Sequence, residues 1–85
     1  MPTYLVELYM SRSGAGGLRQ LAARARAAAG TLRSDGTPVR YLRSFLLTED
    51  ETLFSFFEAP SIEAVREASR LAGLSPSRIT ETVGA

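Results

Sequence analysis

An α+β sandwich, a four-stranded sheet with two helices on one face, is predicted for this chain by three observations. Four segments alternate apolar and polar residues with a period of two. Two segments repeat apolar residues with a helical period, and glycine, proline or acidic clusters separate the segments. Their order is strand, helix, strand, strand, helix, strand. The 85 residues make a single domain over 1–85, near the small end of what folds without covalent help.

The first strand is TYLVELYM, with Tyr4, Val6, Leu8 and Met10 on one face and Leu5, Glu7 and Tyr9 on the other. SRSGAGG follows as a flexible loop; its glycines lack the spacing and the lysine-serine of a phosphate-binding fingerprint. Residues 18–29 turn helical. Leu18, Leu21, Ala22, Ala25 and Ala29 form a thin apolar face, and Arg19, Arg26 and Arg33 form a solvated one. Gly30 is placed just past the helix end, and TLRSDGTP reads as a turn-rich linker.

VRYLRSFLL and TLFSFFEA are the second and third strands, joined across TEDE as an antiparallel hairpin. Pro60 ends the third strand and Ser61 caps a helix over about 62–72, which Gly73 and Leu74 terminate. SRITETV is the last strand. Right-handed crossovers turn this order into a split βαβ, or ferredoxin-like, βαββαβ sandwich.

Helices on one side leave the other side of the sheet open. Alternation assigns Leu5, Glu7 and Tyr9 to that open face, then Tyr41, Arg43 and Phe45, then Phe54, Phe56 and Glu58. Leu42, Leu46, Leu53, Phe57 and Ala59 turn to the helices. The last strand is ambiguous by pattern, and Glu81 is assigned to the open side. Such a face is too apolar for water and too charged for an ordinary core, so a cover is expected.

Composition narrows what that cover does. Without cysteine there is no disulfide and no thiolate chemistry, and without histidine the commonest metal ligand and general base are missing. A small core without staples is relieved by burying a face against a twin subunit. Ten arginines against nine acids leave the net charge near zero. Seven of those arginines fall between Arg12 and Arg43 with Asp35 the one acid among them, and acids dominate beyond. That split pairs two halves of a surface or steers a ligand. No apolar run approaches the ~20 residues of a membrane span, and the N-terminus lacks a signal pattern. A soluble, cytoplasmic protein without membrane partners is expected.

Three covers compete. A second copy packed face to face makes a dimeric α/β barrel whose charged groups line an interior. There Arg43 pairs with a carboxylate across the interface or orients a small ligand, and an unpartnered buried carboxylate becomes an acid or base. Single-stranded RNA is the second, because the RNA-recognition motif shares this element order and stacks bases on third-strand aromatics. Phe54 and Phe56 have that spacing. Glu51, Thr52 and Leu53 replace the basic residue and glycine that precede it, and TEDE and Glu58 repel phosphates, so no nucleic-acid partner is expected. A different protein is the third.

YLVELY, FFEAPSIEAVREASRLAGL and RITE resemble a family of small bacterial proteins long classed as a domain of unknown function and described as nickel-binding. The resemblance runs along the whole chain and is densest over residues 53–83. It implies a ferredoxin-like fold and a dimer. The nickel site does not transfer, because nickel prefers imidazole and thiolate and this chain has neither. Glu7, Glu58, Glu81, Tyr9 and Met10 offer only hard oxygen or weak thioether donors, so no metal ligand and no cofactor are assigned. Other barrels of this shape hold haem through a histidine, which is also absent.

The leading expectation is a homodimer that binds a small molecule over its open sheet face, in a cleft lined by Tyr9, Tyr41, Arg43, Phe54, Phe56 and Glu58. A cofactor-free cyclase, isomerase or monooxygenase is the alternative, with Glu7 or Glu58 as general acid or base and Tyr9 as partner. A metal-handling protein comes third.

Overall fold

The computed structural model describes residues 1–84. Strands β1 (Thr3–Tyr9), β2 (Arg40–Leu47), β3 (Thr52–Glu58) and β4 (Arg78–Thr82) form one sheet in the order β2-β3-β1-β4, every neighbouring pair antiparallel. Helices α1 (Leu18–Ser34) and α2 (Ile62–Leu71) pack on each other and on one face of the sheet. The arrangement is the ferredoxin-like α+β fold.

The inner strands carry the plainest alternation. In β1, Tyr4, Val6 and Leu8 are buried; in β3, Leu53, Ser55 and Phe57 are, with Ala59 following. These side chains meet Leu21, Ala25, Ala29 and Leu32 of α1, and Val65 and Ala68 of α2. The alanines let α1 lie close to the sheet, so that large residues of the strands fill the space between. Phe57 is the largest fully buried side chain.

Two helix boundaries differ from the sequence expectation. Residues Arg12–Gly17, expected as a loop, wind into a 3-10 helix that leads into α1. α1 also continues through Gly30 to Ser34. Leu32 extends the buried stripe by one turn, and that burial outweighs the ~1 kcal/mol that an interior glycine costs a helix. The left-handed stop is supplied by Gly36 (φ +95°) instead. Thr37 N–H donates to the Leu32 carbonyl and Gly36 N–H to that of Arg33, the paired bonds of a Schellman ending.

α2 has the ends its sequence predicts. The Ser61 hydroxyl accepts from Ala64 N–H at 3.2 Å. At the other end Gly73 (φ +73°) places Leu74 N–H on the Ser69 carbonyl and its own N–H on that of Arg70.

The arginines of α1, expected as a solvated face, are in part fasteners. Arg24 Nε donates to the Ala72 carbonyl at 3.0 Å, joining α1 to the end of α2. Arg33 Nη1 donates to the Val39 carbonyl at 2.8 Å, and Arg26 lies over the Tyr41 ring at 5.1 Å. Each uses a planar, multi-donor head that a lysine lacks.

A Cβ at position 73 would meet nothing within 4 Å, so Gly73→Ala isolates backbone strain from crowding. Equilibrium denaturation of this variant is expected to show a loss of about 1–2 kcal/mol, the cost of holding an L-residue in the left-handed region.

Candidate functional site

The sheet face away from the helices is where the sequence places chemistry, and strand register decides which residues reach it. Residues paired across antiparallel strands share a face. Leu5 pairs with Phe56, Glu7 with Phe54, and Thr3 with Glu58, so the six point the same way, opposite to buried Val6 and Phe57. On the other flank Glu7 pairs with Arg78, Leu5 with Thr80 and Thr3 with Thr82. Ile79 pairs with buried Val6 and Glu81 with buried Tyr4. Glu81 therefore lies on the helix side, a correction of the open-face assignment. Pattern alone left β4 undecided, and the apolar Ile79 sets its phase.

β2 contains the second correction. Its pairing with β3 shifts between Tyr41 and Arg43, leaving Leu42 as an extra residue. Before the bulge, Arg40 pairs with Glu58 and Tyr41 with Phe57; after it, Arg43 pairs with Phe56 and Phe45 with Phe54. Tyr41 thus turns to the helices and meets the Phe57 ring edge-on at 5.6 Å. It is not a residue of the open face. Leu42, expected to be covered, is exposed and lines a recess with Arg43.

The bulge has a chemical reason in the structure. In an unbroken strand Tyr41 and Ser44 would face opposite ways; with Leu42 looped out they share a side. The Tyr41 hydroxyl donates to Ser44 Oγ at 2.7 Å, and Ser44 Oγ bonds Ser55 Oγ at 2.6 Å. Ser55 is fully buried, so this chain of hydroxyls satisfies a polar atom inside the core.

The open face then has three parts. Phe45 stands 5.9 Å from the rings of both Phe54 and Phe56, an aromatic cluster at its centre. Arg40 and Glu58 pair at 3.3 Å toward one end. Within one chain the Arg43 guanidinium lies over Phe56, 5.8 Å from the ring centre. Thr3, Leu42, Arg43, Phe56, Thr82 and Gly84 line a shallow recess of about 450 Å³ across the strand ends.

Tyr9 and Glu7 lie toward the far end of β1. Glu7 is half-buried and, among the described residues, forms no ion pair; Tyr9 is 70% exposed at the rim. Because Glu58 stands opposite Thr3, four residues from Glu7 along β1, the two carboxylates are separated by roughly 13 Å of strand. They do not form one acid–base pair. Arg40, Leu42 and Arg78 were missed as neighbours of these groups. The Arg40–Glu58 pairing was hidden by the bulge, and Arg78 by the phase of β4.

Comparison with known proteins follows the same lines. The model of the family described as "Nickel responsive protein SCO4226-like" matches residues 4–82. The chain belongs to that family. In structure it is similar to SCO4226 from Streptomyces coelicolor A3(2), with a TM-score of 0.74 and 22% identity over 98% of this chain and 99% of that one. At that identity the likeness speaks for the fold. No curated protein matches the chain.

Nickel itself does not fit the donors of this SCO4226-like chain. The sequence contains no histidine or cysteine, and no group of three or more acidic side chains stands close enough to hold a metal among the described residues. Among the described residues no helix is long and apolar enough to cross a membrane.

Two measurements check the helix-side assignments. Tyr41→Phe is expected to lose about 1 kcal/mol by chemical denaturation, through the broken hydroxyl chain. Burial raises the Tyr4 hydroxyl pKa above its ordinary 10.0, and Glu81 and Glu63 raise it further. A tyrosine that ionises more readily unfolded than folded stabilises the protein fully below pH 10 and progressively less as pH rises through its folded value. Thermal melts should therefore show alkaline destabilisation that is smaller in Tyr4→Phe.

Proposed function

We propose that the protein works as a homodimeric binding protein, two open sheet faces packed together with a small ligand enclosed between them. The observation that carries this reading is the aromatic cluster of Phe45, Phe54 and Phe56, flanked by Leu5, Leu42 and Leu47, on a face that no element of the described chain covers. A stable dimer needs about 800 Å² per partner, and the molecule measures 37 by 28 Å along its two longer axes, so one face is large enough.

Within the cleft Arg43 is the residue that orients the ligand. It is exposed and, among the described residues, in no ion pair, and it stands over the recess beside Phe56. An acidic or carbonyl group on a flat, apolar molecule suits that combination of a guanidinium and an aromatic wall. Glu58, tied to Arg40, shapes the rim, and Tyr9 lies outside the recess. The family's description concerns a response to nickel; in this chain the same face is read as a site for an organic ligand, since imidazole and thiolate are unavailable.

A second reading has one observation in its favour. Glu7, half-buried between Phe54 and Arg78 with no ion pair among the described residues, has the setting of a general acid or base. In that case the cleft is catalytic and cofactor-free.

Sedimentation equilibrium is expected to give a dimer, and Phe45→Glu, which puts a charge into the cluster, a folded monomer. A monomeric wild type would remove the enclosed cleft. Calorimetric titration with nickel should show no stoichiometric site; a tight one would overturn the organic-ligand reading. If a substrate is found, Glu7→Gln separates the two readings, abolishing turnover in the second and leaving binding intact in the first.

A further inference from the structure

Apart from the sheet face, a crevice lies between α2 and the segment that leads into β4. It is an open groove of about 520 Å³, within the range of small-molecule sites, lined by Arg66, Ser69 and Arg70 of α2 and by residues 74 and 76–79. Two features set it apart from an ordinary groove. Arg66 and Arg70 are one turn apart on the same side of α2, and Arg78 lines the crevice from β4. Between them Ser69, 1% exposed, has a hydroxyl with no hydrogen-bond partner among the described residues.

A buried hydroxyl left unpaired costs free energy, which a ligand acceptor placed there would recover. The negative end of the α2 dipole, about half a charge, is countered by the three arginines, and the carbonyls there already accept bonds: Ser69 from Leu74, Arg70 from Gly73, and Ala72 from Arg24. Leu74, Pro76 and Ile79 make the rest of the wall apolar.

We propose that this crevice binds a small organic phosphate, with the phosphate held by Arg66, Arg70 and the Ser69 hydroxyl and the organic part against Leu74, Pro76 and Ile79. Phosphate is favoured over carboxylate by the groups already present. Arg70 pairs with Glu67, and Arg66 with Glu63 at 3.6 Å, both in exposed positions where such pairs contribute little. A monocarboxylate offers these arginines nothing that Glu63 and Glu67 lack. A phosphate monoester near neutral pH carries close to two charges and three acceptor oxygens, enough to take both guanidiniums and the serine at once. Arg66, Ser69 and Arg70 stand on α2, apart from the open sheet face, and Arg78 borders both.

Phenyl phosphate is the probe, titrated calorimetrically and by amide chemical shifts. Saturable binding is expected, with shifts gathered at residues 66–79. Arg66→Gln/Arg70→Gln is expected to weaken it by tenfold or more, as for the loss of charge-assisted hydrogen bonds. Both side chains are exposed, so the fold should survive, and circular dichroism checks that it does. Glu67→Gln frees Arg70 and should tighten binding severalfold, a gain that misfolding cannot imitate. Ser69→Ala should weaken it without loss of stability. Absence of saturable binding overturns the proposal, as does undiminished affinity in the double arginine variant. Equal binding of neutral benzyl alcohol, or shifts confined to the open sheet face, would overturn it as well.

Discussion

Everything in this molecule depends on a sheet that is covered on one side only. In a strand, every second residue must face away from the helices, whatever its chemistry. β3 shows the consequence most clearly: Leu53, Ser55 and Phe57 are buried, while Phe54, Phe56 and Glu58 are half-exposed on the other side. A strand in the middle of a small sheet thus builds a core and a surface from the same seven residues. Because that surface is aromatic, the fold that satisfies the helices leaves an apolar cluster on the far side of the sheet.

The helix side is held by more than apolar burial. α1 is rich in alanine and supplies little area for each residue, and its arginines make up part of the difference. Arg24, Arg26 and Arg33 reach respectively the end of α2, the Tyr41 ring and the start of β2. Three tethers, one to α2 and two to β2, fix the angle of one helix. A chain whose only cationic side chains are guanidiniums makes such contacts at a lower entropic cost per bond than one built with lysines.

Much of this was legible in the sequence where the period was undisturbed. β1, β3 and the ends of α2 follow from alternation, Ser61 and Gly73, because local geometry and global burial ask for the same residues there. Where one residue changed the phase, legibility stopped. Tyr41 alternates correctly with Arg43 and Phe45 by count, and only the looped-out Leu42 sends it to the other face. The hydroxyl chain to Ser55 that favours this bulge joins residues 11 apart in sequence, beyond the reach of any local pattern. α1 ran past Gly30 for a related reason: Leu32 had a place in the core, and tertiary burial overrode a weak local stop. In the candidate site, the aromatic cluster was readable from β3, whereas the partner of Glu58 was not, since Arg40 comes into register only through the bulge.

That bulge has a further effect, at the rim of the sheet. β2 is one outer edge of the sheet, and unpaired edges invite other strands to add on and aggregate. A bulge twists the edge away from a straight template, and Arg40 and Arg43 charge it on either side. The opposite edge, β4, is only five residues long and carries Arg78 and Glu81 as well as two threonines. With both rims guarded against strand addition, the sheet discourages open-ended stacking into fibrils.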